Sequence, residues 1–497
     1  MNKNFEVTAE DKIFILFFTA LVLLYVLPLL TSYCPFNDDY YRIFKGNSWD
    51  DDGRLLPSLI IRFLGHARTI FNPAPLPLVL SILVFSFGGF LIKKLFIETV
   101  NPYISALIAF GFIFNPFLLL SLVFQLDCLG FTLSLVLLIL PFALAVPESR
   151  KKYLLYHGLC ALCVFFSLNS YQSSLGFFMA LATIEVVHGA YKNEYKFQRL
   201  LSRILQLVLG YVAYSLFLAL PFIANIARKP GRVSYVELSP DGLNLFIQNC
   251  QNTFMAILNS FSQLQLVVLS LLLVISTAFV VHLYKRNSRS GTLNETHRLL
   301  LFITILSPLI IFLFSFIHLA FLNYPIDSKK LMFTSFSGFT AFLFLALGWY
   351  IKDRKKICCI LIPIVLSGFG FSYVVGNLIK IEYEFHQPIV TSIVSNINDT
   401  QLDDKTTLYT TGKLARSRYF NRVAEILPIV HDLGTNIGWA MQYRLSYSGC
   451  GIQNYKGVSD IESSENLDIA KLPIIADSHY YQIYKYKSDL LLVLKEQ

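Results

Sequence analysis

Between Asn37 and Arg54 the chain reads NDDYYRIFKGNSWDDDGR, five carboxylates and three basic side chains between two strongly apolar segments. Asp38 and Asp39 follow Asn37, a residue type that caps helix starts. Acidic residues there complement the helix dipole, and Arg42 is close enough along a helix to pair with either. The same two carboxylates suit proton transfer: beside an apolar-aromatic stretch, desolvation raises a carboxyl pKa into the range of a general base. Asp50, Asp51 and Asp52 form either a solvated acidic turn or a divalent-ion contact, though they lack the alternating ligands of a calcium loop. Arg54, at the end of that turn, has the forked donors that match phosphate oxygens.

The rest of the chain is organised to hold this stretch at a membrane surface. Of 497 residues, 55% are hydrophobic and 15% charged, with 44 Phe and 27 Tyr, whereas a soluble domain carries about 25% charged residues. Apolar runs of about 20 residues predict about 11 spans, near 13–31, 75–97, 103–122, 128–146, 153–168, 172–190, 205–226, 263–284, 299–320, 331–351 and 357–378. With the N-terminus inside, every inner loop is basic, for example Lys93–Lys94, Arg150–Lys152 and Lys352–Lys356, while the short outer turns at 125–128 and 169–172 carry no basic residue. An odd number of spans leaves the C-terminus outside. The net charge of +9 is spread over these loops, which excludes a nucleic-acid-binding arm.

The first outer loop, 32–74, contains the acidic stretch and then an amphipathic pattern over 54–72. There Ser58, Arg62, His66 and Thr69 share the polar face, as in a helix lying in the interface. Asp127 in the outer turn QLDC, and Tyr171 and Gln172 in SYQ, are polar groups at span ends, where such residues line cavities. Lys329 and Lys330 close another outer turn, either as snorkelling anchors or as phosphate contacts. Arg42 and Asp52 complete the candidate binding residues. The eight cysteines and nine histidines show no metal-ligand spacing, and a disulfide among Cys34, Cys128, Cys250 and Cys450 is undecided. No P-loop, GxGxxG, GxSxG or HExxH is present. Residues 380–497 are polar, with strand-like alternation in TTLYTTG and YYQIYKYKSDLLLVLK and a short helical pattern in RVAEILPIVHDLG. The expected architecture is therefore a polytopic α-helical membrane domain, 1–379, followed by a small α/β domain, 380–497, on the outer side.

On FNDDYYR (36–42), DDGR (51–54), SYQ (170–172), the basic turn at 329–330 and the polar C-terminal segment, the sequence resembles the bacterial and phage-encoded glucosyltransferases that modify O-antigen, the type II glucosyl transferase family. The resemblance implies a GT-C membrane enzyme of the bacterial inner membrane. It implies a polyprenyl-phosphate-linked glucose donor, a surface-polysaccharide repeat unit as acceptor on the periplasmic side, and inversion in one displacement. It implies a donor that needs no nucleotide, and no metal is required where basic side chains neutralise the phosphate. A flippase and a polyprenyl-phosphate glucosyl synthase are the implied functional partners. Relatives place an acidic catalytic residue in the first outer loop, which falls here on Asp38 or Asp39, and an arginine in a late outer loop, where this chain has Lys329 and Lys330. Two other classes fit parts of the pattern: a lipid-linked-sugar flippase, which favours mid-membrane charges and repeated halves, and a polysaccharide polymerase or ligase.

Overall fold

The computed structural model describes residues 7–32, 34–46, 49–147, 149–226, 235–288, 295–323, 330–400, 405–433, 438–457 and 469–496. Helix α1 (Ala9–Ser32) leads into two short helices, α2 (Asp38–Lys45) and α3 (Leu55–Leu64), that lie in the first loop. Next come α4 (Leu76–Phe96), the short α5 (Pro102–Ala109) and α6 (Pro116–Ser121), α7 (Cys128–Ala143), α8 (Arg150–Ser170), α9 (Leu175–Lys192) and α10 (Phe197–Ala219). A turn of helix, α11 (Pro221–Ala224), precedes α12 (Pro240–Leu258), α13 (Gln263–Ser288), α14 (Glu295–Phe314), α15 (Ile317–Ala320), α16 (Phe336–Tyr350) and the 45-residue α17 (Arg354–Asn398).

Nine helical stretches among the described residues are long and apolar enough to cross a bilayer. Two further predicted spans are shorter. The run expected at 103–122 is broken into α5 and α6, because Asn115 and Pro116 start a new helix and Asn115 caps it by accepting from Phe117 N at 3.0 Å. Helix α7 has 16 residues. The span expected at 205–226 sits earlier, as α10, and stops before Pro221. Pro240 begins α12, where its missing N–H costs nothing.

Burial explains how the helices are arranged. Helix α16 is buried along nearly its whole length, and its Phe344 and Phe336 pack against Phe114 and Phe117. Helices α10, α13 and α17 instead expose leucine and valine, such as Leu216 at 65% and Val274 at 65%. Apolar side chains outermost and aromatic rings at the centre is the arrangement that lipid favours.

At about 1.5 Å per residue, the 45 residues of α17 run roughly 68 Å, far beyond a bilayer core of about 30 Å. The boundary expected at 379/380 therefore falls inside one continuous helix. Its last turns bury Ile389, Val390, Ile393 and Ile397 against Leu408, Ile483, Leu490 and Leu492 of a sheet. That sheet has five strands: β1 (Thr407–Gly412), β2 (Asn454–Gly457), β3 (Ile474–Asp477), β4 (Tyr481–Tyr486) and β5 (Asp489–Leu494), in the order β2-β1-β5-β4-β3. Strands β4 and β5 form the hairpin expected around Lys-Ser-Asp, with Lys487 at φ +55°. Two helices, α18 (Arg418–Ile426) and α19 (Gly438–Tyr447), complete this unit, and α18 fulfils the helical pattern in RVAEIL. All eight cysteines are free thiols.

Candidate active site

Helix α2 carries Asp38 and Asp39 and ends at Gly46, whose φ of +65° closes the helix in the left-handed region. Asp39 and Arg42 are three residues apart, so they share one face, which is buried against the membrane domain. Asp39 is fully buried. One of its oxygens accepts from Phe36 N at 2.9 Å and Gln125 N at 3.1 Å, and the other from Leu126 N at 3.1 Å. The carboxylate thus ties the start of α2 to the turn between α6 and α7. Burial pushes its pKa up to about 7, against the pull of the three N–H donors and with help from the nearby Asp127. Asp38, one residue earlier, stays partly exposed.

Asn37 does not cap the helix. Its φ of +35° turns the side chain away from the helix start, and its Oδ1 is buried without a hydrogen-bond partner. Asp39 takes over that task from within the first turn by accepting from Phe36 N. Arg42 makes a long-range pair instead of serving only its own helix: its Nε donates to Asp127 at 3.2 Å, and both side chains are buried. The indole N–H of Trp49 also donates to Asp127, and the Arg42 guanidinium lies 4.2 Å from the centre of the Trp49 ring. Trp49 packs in a small cluster with Ile61, Ile70 and Leu126 beneath the loop.

The acidic turn Asp50–Asp52 is a single 3-10 turn that ends at Gly53, φ +72°. A side chain at Gly53 would bring its Cβ within 2.9 Å of the Tyr214 hydroxyl, so glycine is needed here both for the backbone and for the contact. Asp50 accepts from Arg62 of α3 at 3.0 Å. The Gln172 amide donates to the Asp52 carbonyl at 2.9 Å and to the Tyr214 hydroxyl at 2.7 Å. Arg54 Nε donates to Gln172 Oε1 at 2.9 Å, and the Arg54 guanidinium stacks 4.6 Å from the centre of the Tyr171 ring. The two terminal nitrogens of Arg54 make no hydrogen bond among the described residues, and the side chain is partly exposed. Helix α3 turns Ser58 and Ile61 inward and exposes Leu59 and Phe63, as an interfacial helix does. It ends at Gly65, short of the 72 expected.

Asp39, Arg42, Asp52, Arg54, Asp127, Tyr171 and Gln172 are therefore joined in one network that draws on the first loop and on the span ends at 125–128 and 170–172. Asp38 sits at its rim. Lys329 lies outside the described residues, and for Lys330 only the backbone, at the start of a 3-10 turn, is described. Three members escaped the sequence reading. Trp49 is one of only three tryptophans in the chain and adjoins the acidic triplet, a signal that was available. Ser58 accepts from Trp49 N at 3.0 Å and had been assigned only to a polar helix face. Tyr214 lies inside an apolar run and left no signal. Among the described residues, no three His, Cys, Asp or Glu side chains converge as metal ligands.

The profile of the glucosyl transferase GtrII family matches residues 27–347, which include every described residue of this network. The chain belongs to the GtrII glucosyl transferase family. It is also 30% identical over 219 residues to an uncharacterized 55.3 kDa protein encoded in the gtrB 5' region of Salmonella phage P22. That match covers 42% of this chain and 43% of the phage protein, so the chain spans less than half the length of this curated relative. No solved structure matches the chain. The GtrII profile ends before α17, so the sheet-bearing unit lies outside the matched region.

Proposed function

We propose that this GtrII-family protein is a membrane glucosyltransferase that moves glucose from a polyprenyl-phosphate carrier to a repeat unit of a surface polysaccharide such as O-antigen, on the periplasmic side of the bacterial inner membrane. The observation that carries the reading is the joining of the acidic helix α2 to Arg54, an arginine with two open donor nitrogens, through Asp127, Trp49 and Ser58. A carboxylate and a guanidinium held in one frame are what a displacement at an anomeric carbon needs.

In this mechanism the acceptor hydroxyl attacks the anomeric carbon as the bond to the carrier phosphate breaks, and the configuration inverts. Asp38 takes the hydroxyl proton, because it is the member of the pair with access to solvent. Asp39 cannot touch an acceptor in this arrangement; it sets the position of α2 through its three N–H partners. The departing phosphate is met by the open nitrogens of Arg54, held in place by Gln172 and Tyr171. Lys329 and Lys330 remain proposed additional phosphate contacts. No bound nucleotide or metal enters any step. A polyprenyl-phosphate glucosyl synthase and a flippase would supply the donor on this side.

The test is transfer of labelled glucose from polyprenyl-phosphate glucose to polysaccharide in membranes containing the wild type, Asp38→Asn or Arg54→Ala. Expected is a fall of at least about a hundredfold for Asp38→Asn, with equal amounts of inserted protein, and one added hexose per repeat unit in the wild-type product. A changed chain length with no added hexose would instead identify a polymerase or ligase. Movement of the carrier without transfer would identify a flippase.

A further inference from the structure

Three helices that hold the site continue away from it. Helix α7 starts beside Asp127 and ends at Ala143, α9 follows Gln172 and ends at Lys192, and α10 runs the other way, from Phe197 toward Tyr214. At about 1.5 Å per residue, the lengths of α7 and α9 put their far ends roughly 25 Å from the site, close to the thickness of a bilayer core. There, together with α4 and α14, they enclose a depression of about 300 Å³.

Its charges do not balance. Arg203 is held by Glu185 at 2.8 Å, Lys196 by Glu194 at 2.9 Å, and Lys192 by Glu98. Lys94 shares the carboxylate of Asp11 with Lys93, which leaves two cations on one acid. Arg199 also lines the depression, near enough to Glu194 to help hold its carboxyl down, but among the described residues its guanidinium makes no ion pair or hydrogen bond of its own. The C-terminal carbonyls of α9, which would repel an anion, are covered by Arg286, which donates to Tyr191 O at 2.9 Å and Ala190 O at 3.2 Å.

We propose that this depression binds the phosphate of an anionic phospholipid headgroup, with Arg199 as its main contact. A guanidinium suits the phosphate oxygens, and basic pockets between spans at headgroup level have this use in other membrane proteins. On the expected topology this end faces the inner leaflet. The site is distinct from the transfer centre and does not depend on the proposed reaction.

Purified full-length protein in nanodiscs of phosphatidylcholine with increasing phosphatidylglycerol, released into native mass spectrometry, provides the test. The wild type should retain phosphatidylglycerol over phosphatidylcholine, and Arg199→Ala should weaken that preference about tenfold or more. Arg199→Lys should restore part of it. Far-ultraviolet circular dichroism and melting curves check that each variant is folded, and Arg199→Gln replaces Arg199→Ala if the latter is not. Equal phosphatidylglycerol retention in wild type and in the folded variants would overturn the proposal. Displacement of phosphatidylglycerol by inorganic phosphate alone would overturn its lipid half and leave a phosphate site.

Discussion

At the scale of residues, the two neighbouring aspartates have been given opposite environments. Asp39 is fully enclosed and accepts three backbone N–H groups; Asp38 is partly exposed. The charge of Asp39 also bears on stability. Its carboxyl titrates near 7 in the fold and near 3.8 when unfolded, so between these values the folded protein binds more protons. Stability therefore falls as pH rises from about 4 to about 7 and levels off above. Melting temperature measured across that range should show this decline in the wild type and a flatter, lower curve in Asp39→Asn, which cannot titrate and which turns an amide N–H toward backbone donors. A second expectation concerns Asp127, the acceptor for both Arg42 and Trp49. Removing one partner of a buried ion pair costs about 3–5 kcal/mol, so Asp127→Ala should lower stability by about that much in denaturation of the detergent-solubilised protein. Asp127→Asn, which keeps an acceptor for the indole, should lose less.

At the scale of elements, α2 is clamped between two bodies. Its Asp39–Arg42 face is tied to the membrane helices, and its other face meets α19: Tyr40 lies 5.4 Å from Tyr447 and Tyr41 lies 4.9 Å from Tyr443, both edge to face. Such aromatic pairs contribute about 0.5–1.5 kcal/mol beyond area burial. Tyr443→Ala should therefore reduce transfer several-fold through a less fixed α2 while the protein still inserts. An unchanged rate would show that α19 does not position the site. The turn at Gly53 is a second fixed point. Gly53→Ala meets both the positive φ and the Tyr214 hydroxyl, and should destabilise by about 1–3 kcal/mol, read as a lowered melting temperature. These elements were only partly visible beforehand. The periodic pattern of α3 and the hairpin β4–β5 followed from local spacing. The break between α5 and α6 was hidden, because an apolar run of the right length looks the same whether or not it is one helix.

At the scale of the whole molecule, α17 joins the membrane bundle to the sheet without a linker. Composition changes near residue 380, but the backbone does not, since one buried stripe of the helix packs on α1 in its first half and on the sheet in its last turns. A truncation after 379 should remove the α19 support of α2 and abolish transfer, measured against full-length protein at equal membrane levels. The apolar runs showed that the chain is a helical bundle suited to a bilayer, because hydropathy acts locally and can be read residue by residue. Long-range pairing could not be read in that way. Which aspartate is buried, that Arg42 reaches Asp127 rather than serving only its own helix, and that Tyr214 of a distant span braces Gly53 are decided by contacts between segments 80 to 160 residues apart, and only the packed helices bring those together.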